Sequence, residues 1–114
     1  MSMHRITAIV PVECVDPLEE SLRLCGVPGV TVEHVQGYGE HPNFFRRDLM
    51  HENARLVLYV EHHEVDGVVD AIVKTIGVSS SEAGILAVES IDRLIRLSDG
   101  SEITSSSSTR SEPR

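Results

Sequence analysis

The chain has 114 residues, a length that fits one domain with a core of Val, Ile and Leu. It carries no Trp, two Phe, two Tyr and a formal net charge of -8, with Lys74 as its single lysine. Nucleic-acid binding needs aromatic platforms or clustered cations, so this composition argues against such a partner. The opening MSMHRITAIV holds an apolar run too short for a signal or membrane segment, and the chain reads as cytoplasmic. Cys14 and Cys25 have no metal spacing and sit among apolar neighbours, which predicts two buried free thiols.

Residues 4–11 are apolar and β-branched and predict a first strand. Asp16, followed by Pro17, predicts the start of a helix whose Leu18, Leu22 and Cys25 share one face, with Gly26 as its stop. Residues 30–39, VTVEHVQGYG, alternate around Val30, Val32 and Val35 and predict a second strand. That strand runs into Gly37-Tyr38-Gly39, where missing Cβ atoms let backbone N–H groups approach a ligand. Residues 40–53 have almost no turn punctuation beyond Pro42 and Asn43, and are too long for a hairpin turn. Loops of that length are usually functional or disordered.

Residues 54–62, ARLVLYVEH, predict a third strand. Residues 65–76 predict a second helix with Val69, Ile72, Val73 and Ile76 on one face and Gly77 at its end. Residues 78–84 are small and acidic and read as a loop; residues 85–97 read as a last strand or two short ones. The remainder is polar apart from Ile103, so the domain is expected to span 1–100 and a disordered Ser-rich tail 101–114.

The order is β-α-β-β-α-β, and its halves echo each other. Val15-Asp16 recurs as Val65-Asp66, Leu18 as Val68, Leu22 as Ile72, and Gly26-Val27 as Gly77-Val78. Two such halves build an α+β ferredoxin-like sandwich with both helices on one sheet face. The strands look too apolar to leave the other face in water, which predicts self-association through it.

Among polar candidates, Arg46 and Arg47 could fork around a small oxyanion or remain a solvated pair. Phe44 and Phe45 beside them could pack on the sheet rim or anchor a partner. His34, His41, His51, His62 and His63 form no helical ligand pair, so no metal site is expected. Arg93 and Arg96 alternate near the last strand, where ion pairing with Glu89 or Asp92 competes with anion binding. Ser79, Ser80 and Ser81 have no evident base, and the chain reads as a non-enzyme.

Over about residues 5–100 the segments RITAIVP, VDPLEESLRLCGVPG, GVTVEHVQGYG, VDGVVDAIVKTIG and ESIDRLIRLSDG resemble the PII signalling family in order, spacing and glycine placement. The resemblance implies a homotrimer with sheets facing inward and adenine nucleotides in the clefts between subunits. It makes residues 40–53 the T-loop and 78–84 the B-loop, with a C-loop after Leu97. It also implies nucleotide contacts at Ile9, Thr31, Gly37, Tyr38, Gly39, Tyr59, Gly84 and Arg96.

The departures bear on phosphate. The T-loop is shorter than the family's and lacks its modified tyrosine. Glu40 stands where the family has an arginine and His41 where it has the glutamine of the Mg²⁺–2-oxoglutarate site. Ile85 replaces the B-loop lysine and Ser98 one of two final arginines. The shortened loop resembles the carboxysome-associated PII-like branch. That likeness implies AMP or ADP favoured over ATP, bicarbonate as a candidate co-ligand at Arg46, Arg47 or His41, no further cofactor, and a transporter or carbon-metabolism enzyme as partner. Through such a partner the protein could sit at a membrane or a carboxysome. The alternative is a trimeric divalent-metal-binding protein of related fold. A small cofactor-free oxygenase would want a Trp or a His–Asn constellation, which this chain does not offer.

Overall fold

A computed structural model describes residues 2–37, 51–79 and 84–103. Strand β1 spans Met3–Pro11, helix α1 Val15–Leu24, β2 Thr31–Gly37, β3 His51–Glu61, α2 Val65–Ser79 and β4 Ile85–Ile91. A 3-10 turn precedes each helix, at Val12–Cys14 and His62–Glu64. The sheet order is β2-β3-β1-β4, and every neighbouring pair is antiparallel. This is the expected ferredoxin-like arrangement.

Strand alternation separates the two faces. Ile6, Ala8 and Val10 of β1 and Ala54, Leu56, Leu58 and Val60 of β3 point to the helices, each no more than 3% exposed. Leu18 and Leu22 of α1 and Val68 and Ile72 of α2 close the core from above. These are the four residues matched by the internal repeat, so both halves bury the same two helical positions. Truncating such a buried Leu or Ile to Ala typically costs about 2–5 kcal/mol.

The opposite face is mixed rather than apolar, which corrects the expectation drawn from its strands. It carries Arg5 paired with Glu89 and Arg55 paired with Glu33, each at 2.5 Å, among Thr7, Thr31, Val57 and Ala87. Ile6, Ala8, Val10, Leu56, Leu58 and Val60, the most apolar part of β1 and β3, point the other way, while Ile9, Val57, Ala87 and Ile85 stay on the open face among the ion pairs. Exposed ion pairs of this kind contribute only about 0–1 kcal/mol each.

Several boundaries also move. Helix α1 begins at Val15, with Asp16 inside its first turn and Cys14 as N-cap without a side-chain bond. It closes with paired end bonds, Gly26 N–H to the Arg23 carbonyl at 3.0 Å and Val27 N–H to the Leu22 carbonyl at 3.0 Å. Cys14 is buried and desolvation pushes its thiol pKa up, but Cys25 is exposed because the helix ends at Leu24, beyond its buried stripe. Helix α2 runs through Gly77, and Val73 is 60% exposed on its outer side. Strand β3 begins at His51, since β2 pairs with it out to Gly37↔His51. The segment between them therefore starts at residue 38 and ends at residue 50.

The last stretch is a small hairpin rather than a strand and a tail. Ile95 bridges to Glu102, Ile103 N–H donates to the Leu94 carbonyl at 2.8 Å, and Arg93 pairs with Glu102 at 2.6 Å. Ser101–Ile103 thus belong to the folded part, and the expected break after residue 100 falls inside this hairpin. The rest of that predicted tail lies outside the described residues.

One glycine is set by close approach. A Cβ on Gly84 would run into the Ile9 carbonyl oxygen, 3.1 Å from the carbonyl carbon and 3.2 Å from Val10 Cα. Gly84→Ala is expected to lower stability by about 1–3 kcal/mol through overpacking, read as a lower midpoint in denaturant melts. Gly77→Ala should do the reverse. Its Cβ meets nothing within 4 Å, and a helical Gly costs about 1 kcal/mol relative to Ala. Equal midpoints for G84A and wild type would disprove the close contact with β1.

Candidate functional site

The pairing register lays the sheet's open face out in rows. Tyr59, Arg5 and Glu89 form one; Thr31, Val57, Thr7 and Ala87 the next; Glu33, Arg55, Ile9 and Ile85 the third. A cavity of about 520 Å³ lies over them, lined by Arg5, Thr7, Thr31, Arg55, Val57 and Tyr59 among others. Thr31, Ile9 and Tyr59 therefore share one face of the sheet.

Gly37 ends β2 opposite His51, and Gly84 sits against Ile9 just before β4. Both lie at the same end of the sheet, where β1 finishes and β4 begins. Ile9 and Gly84 are in close contact there, because Gly84 has no side chain to keep it from the β1 backbone, while Gly37 lies at the same end on β2, the opposite edge of the sheet.

Tyr59 and Arg96 belong to the other end. Strand β4 leaves Gly84 and runs antiparallel to β1 until Ile91 meets Met3. Beyond it, residues Ile91–Leu94 line a second cavity of about 360 Å³ with Arg5 and Tyr59. Arg96 follows in the hairpin. Seven strand residues at about 3.3 Å each separate the two groups by about 20 Å. Arg96 and the Gly37–Gly84 end therefore lie at opposite ends of the sheet.

Arg96 is half-buried and its Nη1 donates to Ser101 Oγ at 2.9 Å. Ser101 donates both its hydroxyl, at 2.7 Å, and its backbone N–H, at 3.0 Å, to Asp99 Oδ1. Those two bonds, chiefly the hydroxyl, hold the Asp99 carboxyl below its ordinary value, with a smaller pull from Arg96. Ser101 and Asp99 were not singled out from the sequence. The signal that could have found them is the Asp99-Gly100 dipeptide between Ile95 and Ile103, a common hairpin mark. Gly100 takes φ +76°, the left-handed value the turn needs.

The other candidates fall differently. Arg93 pairs with Glu102, Glu89 with Arg5, and Arg96 bonds Ser101, so the expected ion pair of Arg93 or Arg96 with Glu89 or Asp92 is not the one formed. Tyr38, Gly39, His41, Phe44, Phe45, Arg46 and Arg47 lie outside the described residues. His63 Nδ1 stands 3.4 Å from Glu61 Oε1, and His4 faces His62 with ring centroids 5.0 Å apart. Among the described residues, no group of three or more His, Cys, Asp or Glu could hold a metal, and no helix is long and apolar enough to cross a membrane.

Three comparisons bear on these observations. The family model "Nitrogen regulatory protein P-II" matches residues 3–101. A nitrogen regulatory protein P-II of Pasteurella multocida is 29% identical over 107 residues, covering 88% of this chain and 96% of that protein. P-II 2 of Methanothermobacter thermautotrophicus is 26% identical over 106 residues, covering 86% and 91%. The fold also matches a crystal structure of Arabidopsis thaliana PII bound to citrate, with a TM-score of 0.75 at 22% identity over 90% of this chain and 89% of that one. The strand order, the repeated helix pair and the match across residues 3–101 place this chain in the nitrogen regulatory protein P-II family of regulatory proteins.

Proposed function

We propose that the chain works as a homotrimer that senses AMP or ADP in clefts between subunits. The single observation behind this reading is the split of the binding set. Ile9, Gly37 and Gly84 lie at one end of the sheet, and Arg96 follows the far end of β4, a strand about 20 Å long. A site that uses both groups needs two copies, one supplying the glycines and the other the arginine. In the trimer the open sheet faces turn inward, and the Arg5–Glu89 and Arg55–Glu33 pairs there are satisfied within each chain.

Few phosphates fit this set. ATP carries about four negative charges, and each charge-assisted contact contributes roughly 1.5–3 kcal/mol. Ile85 and Ser98 supply no cation where a triphosphate would want one, and Glu40 adds a negative charge. The shortfall should cost several orders of magnitude in ATP affinity and much less for AMP and ADP. Tyr38, Gly39 and Thr31 complete the nucleoside half beside the glycines, and Tyr59 comes with Arg96 from the second copy. His41, Arg46 and Arg47 are the candidates for bicarbonate as a second ligand.

The output runs through the T-loop segment, which docks on or leaves a protein partner as the ligand changes. A membrane transporter or a carbon-metabolism enzyme is the partner class, with the sensor itself in the cytoplasm, at the membrane or with a carboxysome according to that partner. No catalysis is assigned.

Calorimetry with AMP, ADP and ATP tests the reading. ADP or AMP should bind more tightly than ATP, and Arg96→Ala should weaken ADP by about ten- to a hundredfold. No heat with any adenine nucleotide sinks the reading, and ATP as the tightest ligand sinks the charge argument. Identical ADP affinities with and without bicarbonate would remove the coupling between the two ligands.

A further inference from the structure

The five described arginines divide into two kinds. Arg5, Arg23, Arg55 and Arg93 each close on a carboxylate, of Glu89, Glu20, Glu33 and Glu102 respectively. Arg96 closes on a hydroxyl instead. We propose that Ser101, held by Asp99, is a positioning residue that fixes the Arg96 guanidinium for a phosphate group. The proposal rests on the nucleotide reading above.

The protons decide the direction of each bond. A serine hydroxyl has one proton, and Ser101 gives it to Asp99 Oδ1 at 2.7 Å. Its remaining lone pairs can only accept, and Arg96 Nη1 donates into them at 2.9 Å. Asp99 thereby orients Arg96 through an intervening hydroxyl without a direct ion pair. A guanidinium has five N–H donors, and one is spent here. Four remain, enough for a bidentate grip on an anion.

The backbone locks the same geometry. Arg96 N–H donates to the Ser101 carbonyl at 2.8 Å, Gly100 N–H donates to the Arg96 carbonyl at 2.8 Å, and Ser101 N–H returns to Asp99. Asp99 is ionised at neutral pH, because its lowered carboxyl pKa lies under the ordinary 3.8. Its hold is fully present above that ordinary value and fades only as pH falls through the lowered one, so the network is intact across any neutral assay. A long arginine side chain gives up much rotamer freedom when it grips a ligand; fixing it beforehand spares binding that loss.

The test is calorimetry of the full chain with ADP and, by competition, adenosine, on wild type, S101A, S101T and R96A, each also melted thermally. S101A should weaken ADP by about five- to tenfold and leave adenosine unchanged. S101T, which keeps the hydroxyl, should restore ADP binding. R96A should lose at least as much ADP affinity as S101A. Wild-type ADP affinity in S101A beside a loss in R96A overturns the positioning role and leaves the nucleotide reading standing. Equal losses of ADP and adenosine in S101A, with a lower melting temperature, also overturn it, since Ser101 would then only hold the hairpin. R96A indistinguishable from wild type overturns the use of Arg96 itself, and with it that part of the nucleotide reading.

Discussion

Everything in this fold is referred to β1, which pairs along most of its length with β3 on one side and β4 on the other. A one-residue slip in either pairing would turn Ile6, Ala8 and Val10 away from the helices and bring Arg5 and Thr7 against Leu18 and Ile72. The cost of burying Arg5 unpaired in that core would far exceed any gain in the sheet, so the register is strongly specified. Gly84 then sets where β4 can begin. The chain can approach Ile9 so closely only because residue 84 has no side chain.

That double pairing also distributes the chemistry. Since β4 runs antiparallel to β1, the glycine that opens it and the arginine that follows it must lie at opposite ends of the sheet. Two residues 12 positions apart in sequence are thereby kept apart in space. The same alternation that buries Leu56 and Leu58 sends Arg55 and Tyr59 to the open face. A core and a mixed, ion-paired open face are two consequences of one period-2 pattern.

The order of elements was legible because its signals were strong and local. Four strands, two helices and the fifty-residue echo of Leu18 and Leu22 in Val68 and Ile72 follow from periodicity, and all four residues are buried. The errors share a cause, which is that element ends depend on neighbours. Gly77 reads as a stop by propensity, yet α2 continues through it to Ser79. Cys25 keeps the spacing of Leu22 but falls past the last helical turn and stays exposed. His51, Glu52 and Asn53 look like loop residues and become strand because β2 offers them partners. In the candidate site, Ile9, Thr31 and Gly84 came to notice only through their resemblance to a family, and periodicity alone gave no reason to single them out. The Asp99–Ser101–Arg96 chain was not, since a polar run with a single Ile looks like a tail until Ile95 and Glu102 are seen to pair.

The treatment of charge ties these levels together. A chain with net charge -8 must gather any anion against its own field, and most of its described cations are already matched. Each arginine closed on a glutamate is electrostatically quiet and useful for packing or assembly. Arg96 differs because the hydroxyl between it and Asp99 transmits orientation without cancelling charge by direct contact. On the proposed reading, a single such grip per copy suits one or two phosphates. A third would meet Ile85 and Ser98, which can offer neither a positive charge nor a guanidinium fork. The nucleotide preference would then be set less by what the site contains than by how few of the described arginines are left without a carboxylate.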